Sequence, residues 1–247
     1  MTFSICIPMY NEADAADRCL SALVEKMNRI RKRSGVDYEI IVCDDGSTDD
    51  TRARVERAAG AERRIRVTGY ETNRGKGCAV RTAMSLCRGE IVLYTDCDLA
   101  YGTDVIEEAL ELMSGDGAGD ILIGSRNITD DGYRGYGLVR KTASKFYAFL
   151  LRVIGGLSFT DFQCGFKVFR RDAAREVFSL CRCDGFAFDY EVLMVAAKYG
   201  YTVTEMPVEI VNNGNSSVRV IRDSIPMIKD VMRIKRILRK LKIYTGG

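Results

Sequence analysis

Not one histidine occurs in the 247 residues, so catalytic triads and proton shuttles that depend on imidazole are excluded. The amino terminus, MTFSICIPMYNE, has no basic segment followed by an apolar one, and no secretory leader is expected. Long apolar runs are missing too. The longest membrane-like stretch is FYAFLLRVIGGLSF, residues 146–159, which carries Arg152 and falls short of the roughly 20 residues that cross a bilayer. The nine cysteines are odd in number and lack zinc-site spacing, Cys181-Arg-Cys183 being a weak hint at most. Several sit inside strand-like runs such as SICIP and IIVCD, so they read as free buried thiols of a reducing compartment. These absences describe a cytoplasmic chain that does not span a membrane.

With 47% hydrophobic and 29% charged residues, the chain has ordinary globular composition. Its length suits one large α/β domain, or a domain with an appendage, able to bury a core without disulfide or metal staples. Net charge is only +3, but residues 219–247 alone carry +7 and the remainder −4. A basic tail on a slightly acidic body fits an anionic surface as partner, or simply a solvated helix.

Apolar runs of strand length lie at 3–8, 38–44, 65–71, 90–96, 120–125 and 202–211. Segments of helical period fall at 13–33, 49–59, 76–88, 103–114 and 139–155, from Asp189 onward, and at 218–244, with a further short helix after DFQCGFKVFRR. Continuous rather than alternating apolar strands imply a sheet covered on both faces. Strand–helix alternation implies a doubly wound, mostly parallel sheet whose ligands bind at the carboxyl ends of the strands. Those ends read PMYNE, DDGSTD, DCD and GSR, and three of the four carry acids. Helix capping by Ser47, Thr48, Asp49 and Thr103 explains part of this. It leaves acids at three successive strand mouths, which repel one another without a cation. The loop NRGKG (73–77) opens a helix, where an anion can be held, although it matches neither the P-loop nor the dinucleotide pattern.

Taken together and in order, PMYNE, CDDGSTDDT, NRGKG, TDCDLA, GSR and DFQCGFKVF resemble family-2 glycosyltransferases over roughly residues 3–225. The resemblance is narrower still to the polyprenyl-phosphate branch, which includes dolichyl-phosphate glucosyltransferase and dolichyl-phosphate mannose synthase. It implies the GT-A fold: a nucleotide-sugar half (1–126), an acceptor half (127–217) and a basic amphipathic C-terminal helix (218–247). Asp96 and Asp98 match the family's D-x-D element, which implies Mg²⁺ or Mn²⁺ held against the donor diphosphate, a role suited to carboxylate oxygen. Cys97 between them is expected to face the core. Pro8, Tyr10, Asn11 and Glu12 match the element lining base and ribose, Asp44 and Asp45 the second strand's acid pair, one of which contacts base or ribose in the family, and Arg74 and Lys76 the loop near the nucleotide. Arg126, Arg140 and, more loosely, Arg219 or Arg222 resemble arginines that grip the acceptor phosphate. Asp161, with Gln163 and Lys167 nearby, is expected to orient acceptor or donor sugar. Asp189 and Glu191 fall where relatives place acids near the reacting centre.

The reaction implied is inverting transfer of a hexose from a nucleotide sugar to a polyprenyl phosphate at the cytoplasmic membrane face, the enzyme being peripheral or docked on a membrane partner. Ala100, two residues after Asp98, matches the glucosyl branch and favours UDP-glucose over GDP-mannose. A phosphate acceptor is already ionised, which suits a chain without histidine. Transfer to a saccharide hydroxyl is the alternative, and there Asp161 or Asp189 would have to take a proton. A nucleotide-sugar-binding protein without turnover and a nucleic-acid-binding protein are weaker alternatives: the D-x-D pair is intact, and the basic tail has only Tyr244 among its charges.

Overall fold

The computed structural model describes residues 1–115, 119–129, 156–212 and 220–240, with the backbone alone for 220–227 and 240. Strands β1 (Thr2–Met9), β2 (Asp37–Asp45), β3 (Ile65–Tyr70), β4 (Ile91–Thr95), β5 (Ile121–Ser125), β6 (Phe166–Arg170) and β7 (Val203–Pro207) form one sheet. Its order is β3-β2-β1-β4-β6-β5-β7. Six strands run parallel, and β6 runs against its neighbours β4 and β5. Sequence reading placed no strand at 166–170. Lys167 interrupts the apolar run FKVF, and a charge in a central strand argues against a strand until its buried partner is known.

The helices are α1 (Ala13–Ser34), α2 (Thr51–Ala61), α3 (Lys76–Ser85), α4 (Asp104–Ser114), α5 (Arg171–Leu180), α6 (Phe188–Lys198) and α7 (Val220–Lys240). Successive strand side chains point to opposite faces, so each central strand feeds two cores. Ile5, Ile7, Ile40, Val42 and Leu93 pack beneath α1, α2 and α4. Cys6, Ile41, Cys43, Val92 and Tyr94 pack beneath α3, α5, α6 and α7. This explains why β1, β2 and β4 read as unbroken apolar runs. The nine cysteines are free and all but Cys183 are buried, as their setting in those runs predicts.

The last strand is shorter than its apolar run, ending at Pro207. Beyond it Val211 and Asn212 donate their N–H groups to the Ala100 carbonyl at 2.8 and 3.1 Å. Thr103 precedes α4 without capping it through its side chain. Asp49 serves two helix starts instead, accepting from the N–H groups of Thr51 (3.0 Å) and Ala13 (3.1 Å). In α7, Val231, Ile234 and Leu238 are buried in the second core, while Lys229, Arg233, Arg236 and Arg239 lie on the exposed side. The expected helix at 139–155 lies outside the described residues.

Candidate active site

Chain direction across the sheet reverses between β1 and β4: β2 and β3 are added on one side, β4 and its neighbours on the other. A crevice forms at such a switch point, beyond the carboxyl ends of the two strands. Here β1 delivers Tyr10, Asn11 and Glu12, and β4 delivers Asp96 and Asp98. Pro8, expected to line the base, is buried within β1, opposite Cys43 of β2 and beyond the last β1–β4 pair. There its missing N–H costs no ladder bond to β4. Tyr10 is exposed at the rim. Asn11 has a left-handed backbone (φ 54°), held by its N–H on Ser47 Oγ (3.0 Å) and its side-chain oxygen on the Thr48 N–H (2.8 Å). Leu99, next to Asp98, is likewise left-handed (φ 45°), and its carbonyl accepts from the Asn212 side chain at 2.9 Å. Non-glycine residues in this conformation concentrate at functional sites.

Asp96 Oδ1 accepts from Lys76 Nζ at 2.7 Å and from the Tyr94 hydroxyl at 3.1 Å. Its Oδ2 occupies the space where a side chain at Gly165 would begin. Asp98 accepts the Ala100 N–H at 3.1 Å. Crowding by protein atoms, and then the Asp96 charge, raise the Asp98 carboxyl above its ordinary value. Glu12 is raised in the same way, by burial and by repulsion from Asp98 and Asp96. Cys97 is buried, as expected.

The three acids therefore carry a surplus of negative charge that Lys76 only partly offsets, and the net of −2 at this mouth matches a divalent cation. Among the described residues no three His, Cys, Asp or Glu side chains converge to hold an ion alone. Two carboxylates with oxygens from a substrate diphosphate and water are the donor set that Mg²⁺ and Mn²⁺ accept, so the residues fit such an ion.

The acids that end β2, Asp44 and Asp45, do not join this cluster. Asp45 is consumed by the NRGKG loop: it accepts from the N–H groups of Arg74 (2.8 Å) and Gly75 (2.9 Å) and from the Asn73 amide (3.0 Å). Gly75 has φ 103°, and a side chain there would strike the Asp184 carbonyl, so the loop is pressed against the 183–185 segment. Asp44 is nearly inaccessible, with the Ser47 N–H 3.3 Å from Oδ1 and the Arg52 guanidinium 3.9 Å from Oδ2. The expectation that all the strand-end acids form one repelling set thus gives way to local hydrogen bonding for this pair.

On the far side of β4, Lys167 of β6 is buried with Nζ on Asp189 Oδ1 (2.5 Å) and on the Cys164 carbonyl (2.6 Å). Burial raises the Asp189 carboxyl, and Lys167 and Lys76 oppose that rise. Glu191 is buried too and accepts the N–H groups of Arg182 (2.8 Å) and Cys183 (2.7 Å), fixing the segment under the NRGKG loop.

Arg126, just past β5, grips buried Asp161 through two parallel bonds, Nε to Oδ2 at 2.6 Å and Nη2 to Oδ1 at 2.9 Å. Burial alone would raise the Asp161 carboxyl; Arg126 outweighs it and holds the group below its ordinary value. Gln163 donates its N–H to Asp161 at 3.3 Å. The two residues expected to play separate roles are one unit. Arg140 and Arg219 lie outside the described residues, as does the Arg222 side chain.

Residues 4–178 match the profile of glycosyl transferase family 2. The chain belongs to this family. It is therefore a glycosyltransferase, and curated relatives resemble nearly all of it. Glycosyltransferase AglD of Haloferax volcanii is 30% identical over 98% of the chain, which spans only 39% of AglD's length. The dolichyl-phosphate beta-glucosyltransferase of Saccharomyces cerevisiae is 28% identical over 94% of the chain and 73% of its own length. That of Drosophila melanogaster is 33% identical over 84% of the chain and 66% of its own length. Among solved structures, glucosyl-3-phosphoglycerate synthase from Mycobacterium tuberculosis, held with Mn²⁺, UDP and glucosyl-3-phosphoglycerate, superposes with a TM-score of 0.67 at 20% identity, over 98% of this chain and 81% of that one. Mannosyl-3-phosphoglycerate synthase from Rubrobacter xylanophilus gives 0.68 at 20% identity, over 100% of this chain and 78% of that one. These likenesses establish the GT-A fold for this glycosyltransferase.

In the sequence Tyr94 reads only as a strand residue, and nothing marks Gly165 and Asn212, which support Asp96 and Leu99. The pairing of Lys167 with Asp189 had one legible signal, a lysine in a strand too apolar to leave it unpaired.

Proposed function

We propose that this glycosyltransferase moves a hexose, glucose foremost and mannose second, from a nucleotide diphosphate sugar to a polyprenyl phosphate, in one inverting displacement that uses Mg²⁺ or Mn²⁺. The observation that carries the acceptor reading is the state of the two acids that could serve as a base. Asp161 is tied bidentately to Arg126, and Asp189 is tied to buried Lys167. A saccharide hydroxyl needs a carboxylate to take its proton; a phosphate monoester arrives ionised and does not. The relatives named as dolichyl-phosphate glucosyltransferases support the same acceptor class and favour glucose.

In this reading Asp96 and Asp98 hold the metal, with Glu12 beside them. The bound ion supplies charge neutralisation on the departing diphosphate. Tyr10 and Asn11 line the nucleoside, while Asp44 and Asp45 act indirectly, Asp44 through the turn at Ser47 and Asp45 by shaping the loop that carries Arg74 and Lys76. Asp161 is a positioning residue for Arg126, which faces the acceptor phosphate with Arg140 and Arg219 completing the grip. With both anions oriented and little proton transfer required, rate comes from alignment and electrostatics. Among the described residues no helix is long and apolar enough to cross a membrane. The exposed Lys229, Arg233, Arg236 and Arg239 of α7 give the enzyme a face for an anionic leaflet, at about 1 kcal/mol per basic residue near the surface.

A donor screen tests the reading. Radiolabelled UDP-glucose and GDP-mannose are offered with a short polyprenyl phosphate and Mg²⁺ or Mn²⁺, and label entering the organic phase is counted. The expected result is transfer from UDP-glucose that is lost with EDTA and in Asp98→Ala. Label passing only to water-soluble saccharides would overturn the acceptor assignment.

A further inference from the structure

Asp96, a proposed metal ligand, already has a cation. Lys76 Nζ stands 2.7 Å from its Oδ1, the same oxygen that the Tyr94 hydroxyl approaches. Lys76 is the first residue of α3, at the end of the helix where anions are favoured. Two lysines flank the ring of Tyr94, Lys76 at 5.7 Å and Lys167 at 5.9 Å from its centroid. They are not equivalent. Lys167 is sealed, its side chain 1% exposed and its ammonium committed to Asp189 and a carbonyl. Lys76 is 26% exposed, on a flexible stem that can swing without breaking the core.

An ammonium at 2.7 Å and a divalent ion at about 2.1 Å cannot share one carboxylate oxygen without strong mutual repulsion at this range. Yet the same ammonium suits the oxygens of a diphosphate placed at the mouth of the crevice. We propose that Lys76 is an exchangeable counter-cation: it neutralises Asp96 while the metal is absent, yields that oxygen when the metal–nucleotide enters, and moves onto the diphosphate. Lys167 and Asp189 beneath stay fixed and keep the local charge balanced while Lys76 changes partner. The inference rests on the metal role of Asp96 and Asp98 and is independent of the acceptor.

Lys76 should therefore oppose binding of the metal alone and favour binding of the nucleotide. The test is titration of Mn²⁺, followed by its electron paramagnetic resonance signal, into the wild type, Lys76→Met and Lys76→Arg, together with UDP affinity at saturating Mn²⁺. Lys76→Met should bind Mn²⁺ alone more tightly, by about five- to a hundredfold, the usual range of coupling between two linked sites. It should bind UDP with Mn²⁺ more weakly by a similar factor, while Lys76→Arg stays near the wild type in both. Mn²⁺ binding to Lys76→Met that is equal to or weaker than wild type overturns the exchange. Crystals of the wild type with and without Mn²⁺ and UDP need no variant: the Lys76–Asp96 pair should be present in one and broken in the other, and a pair intact in both also overturns it. Failure of the wild type to bind Mn²⁺ even with UDP removes the metal reading itself and this proposal with it, whereas failure of lipid transfer alone leaves the exchange standing.

Discussion

Asp96 has its two oxygens in different surroundings, Oδ1 against two donors and Oδ2 against the bare backbone of Gly165. A methyl group at 165 would overlap the carboxylate itself, so the Asp96 side chain has to turn aside. Gly165→Ala is therefore expected to cost about 1–3 kcal/mol of stability, as overpacked sites do, and to cut sugar transfer far more than stability explains, because Asp96 must rotate. Thermal unfolding alongside kcat/KM measures both; unchanged activity would contradict the placement. The D-x-D pair was readable in the sequence through its place in the ordered set of motifs, since an acid at the end of an apolar run can equally hold a loop, as Asp45 does. Gly165 was not, because nothing in DFQCGFK tells which residue lies across the sheet from it.

At the level of elements, β6 is the surprise. It enters the sheet antiparallel between β4 and β5, with Lys167 opposite Tyr94 on one side and Ile123 on the other. The lysine then points at the start of α6, where Asp189 waits in the first turn. Breaking a buried pair by removing one partner costs about 3–5 kcal/mol, while replacing both by apolar residues is often neutral. Lys167→Met alone should thus be severely destabilised, and Lys167→Met with Asp189→Leu should recover most of the loss in urea unfolding. Additive losses would mean that the two residues do not act as a pair. Helix α1 is legible from its hydrophobic period, and the parallel strands from their unbroken apolar runs. The antiparallel strand was hidden because its charge is tolerable only with a partner 22 residues away in sequence.

For the molecule as a whole, stability should depend on pH with two opposed slopes. Burial holds the carboxyls of Asp45, Asp189 and Glu191 above their ordinary values, 3.8 for aspartate and 4.5 for glutamate, and burial with the Asp96 charge does the same to Asp98. Groups raised in the folded state contribute stability that is full below the ordinary value and is lost as pH rises through the raised one. Asp161, which Arg126 holds below 3.8 against the pull of burial, contributes stability that is full above 3.8 and is lost as pH falls through its depressed value. Tm should accordingly climb as pH is lowered through the raised carboxyls towards their ordinary values, and fall again as pH drops below 3.8 through the depressed Asp161. Mn²⁺ with UDP should flatten the upper limb by compensating Asp98. A Tm that only rises as pH is raised above 4.5 without ligand would contradict the charge surplus at the crevice.

What the sequence determined on its own is the layered fold and the family to which the chain belongs. Strands buried on both faces leave an unbroken apolar run, parallel strands need helical crossovers, and acids at strand ends follow from the switch point; each is a local pattern. The absence of histidine likewise excludes imidazole from the reaction. Only the tertiary structure decided which charges are free and which are spent. Asp45, Asp161 and Asp189 look alike in sequence to Asp96 and Asp98, yet the first is bound by a loop's N–H groups, the second by Arg126 and the third by buried Lys167, whereas the cation on Asp96 is the part-exposed Lys76 and Asp98 accepts the Ala100 N–H of its own turn. Whether a carboxylate can act depends on donors within about 3 Å, and those donors come from segments far away along the chain, brought together only by the closed sheet.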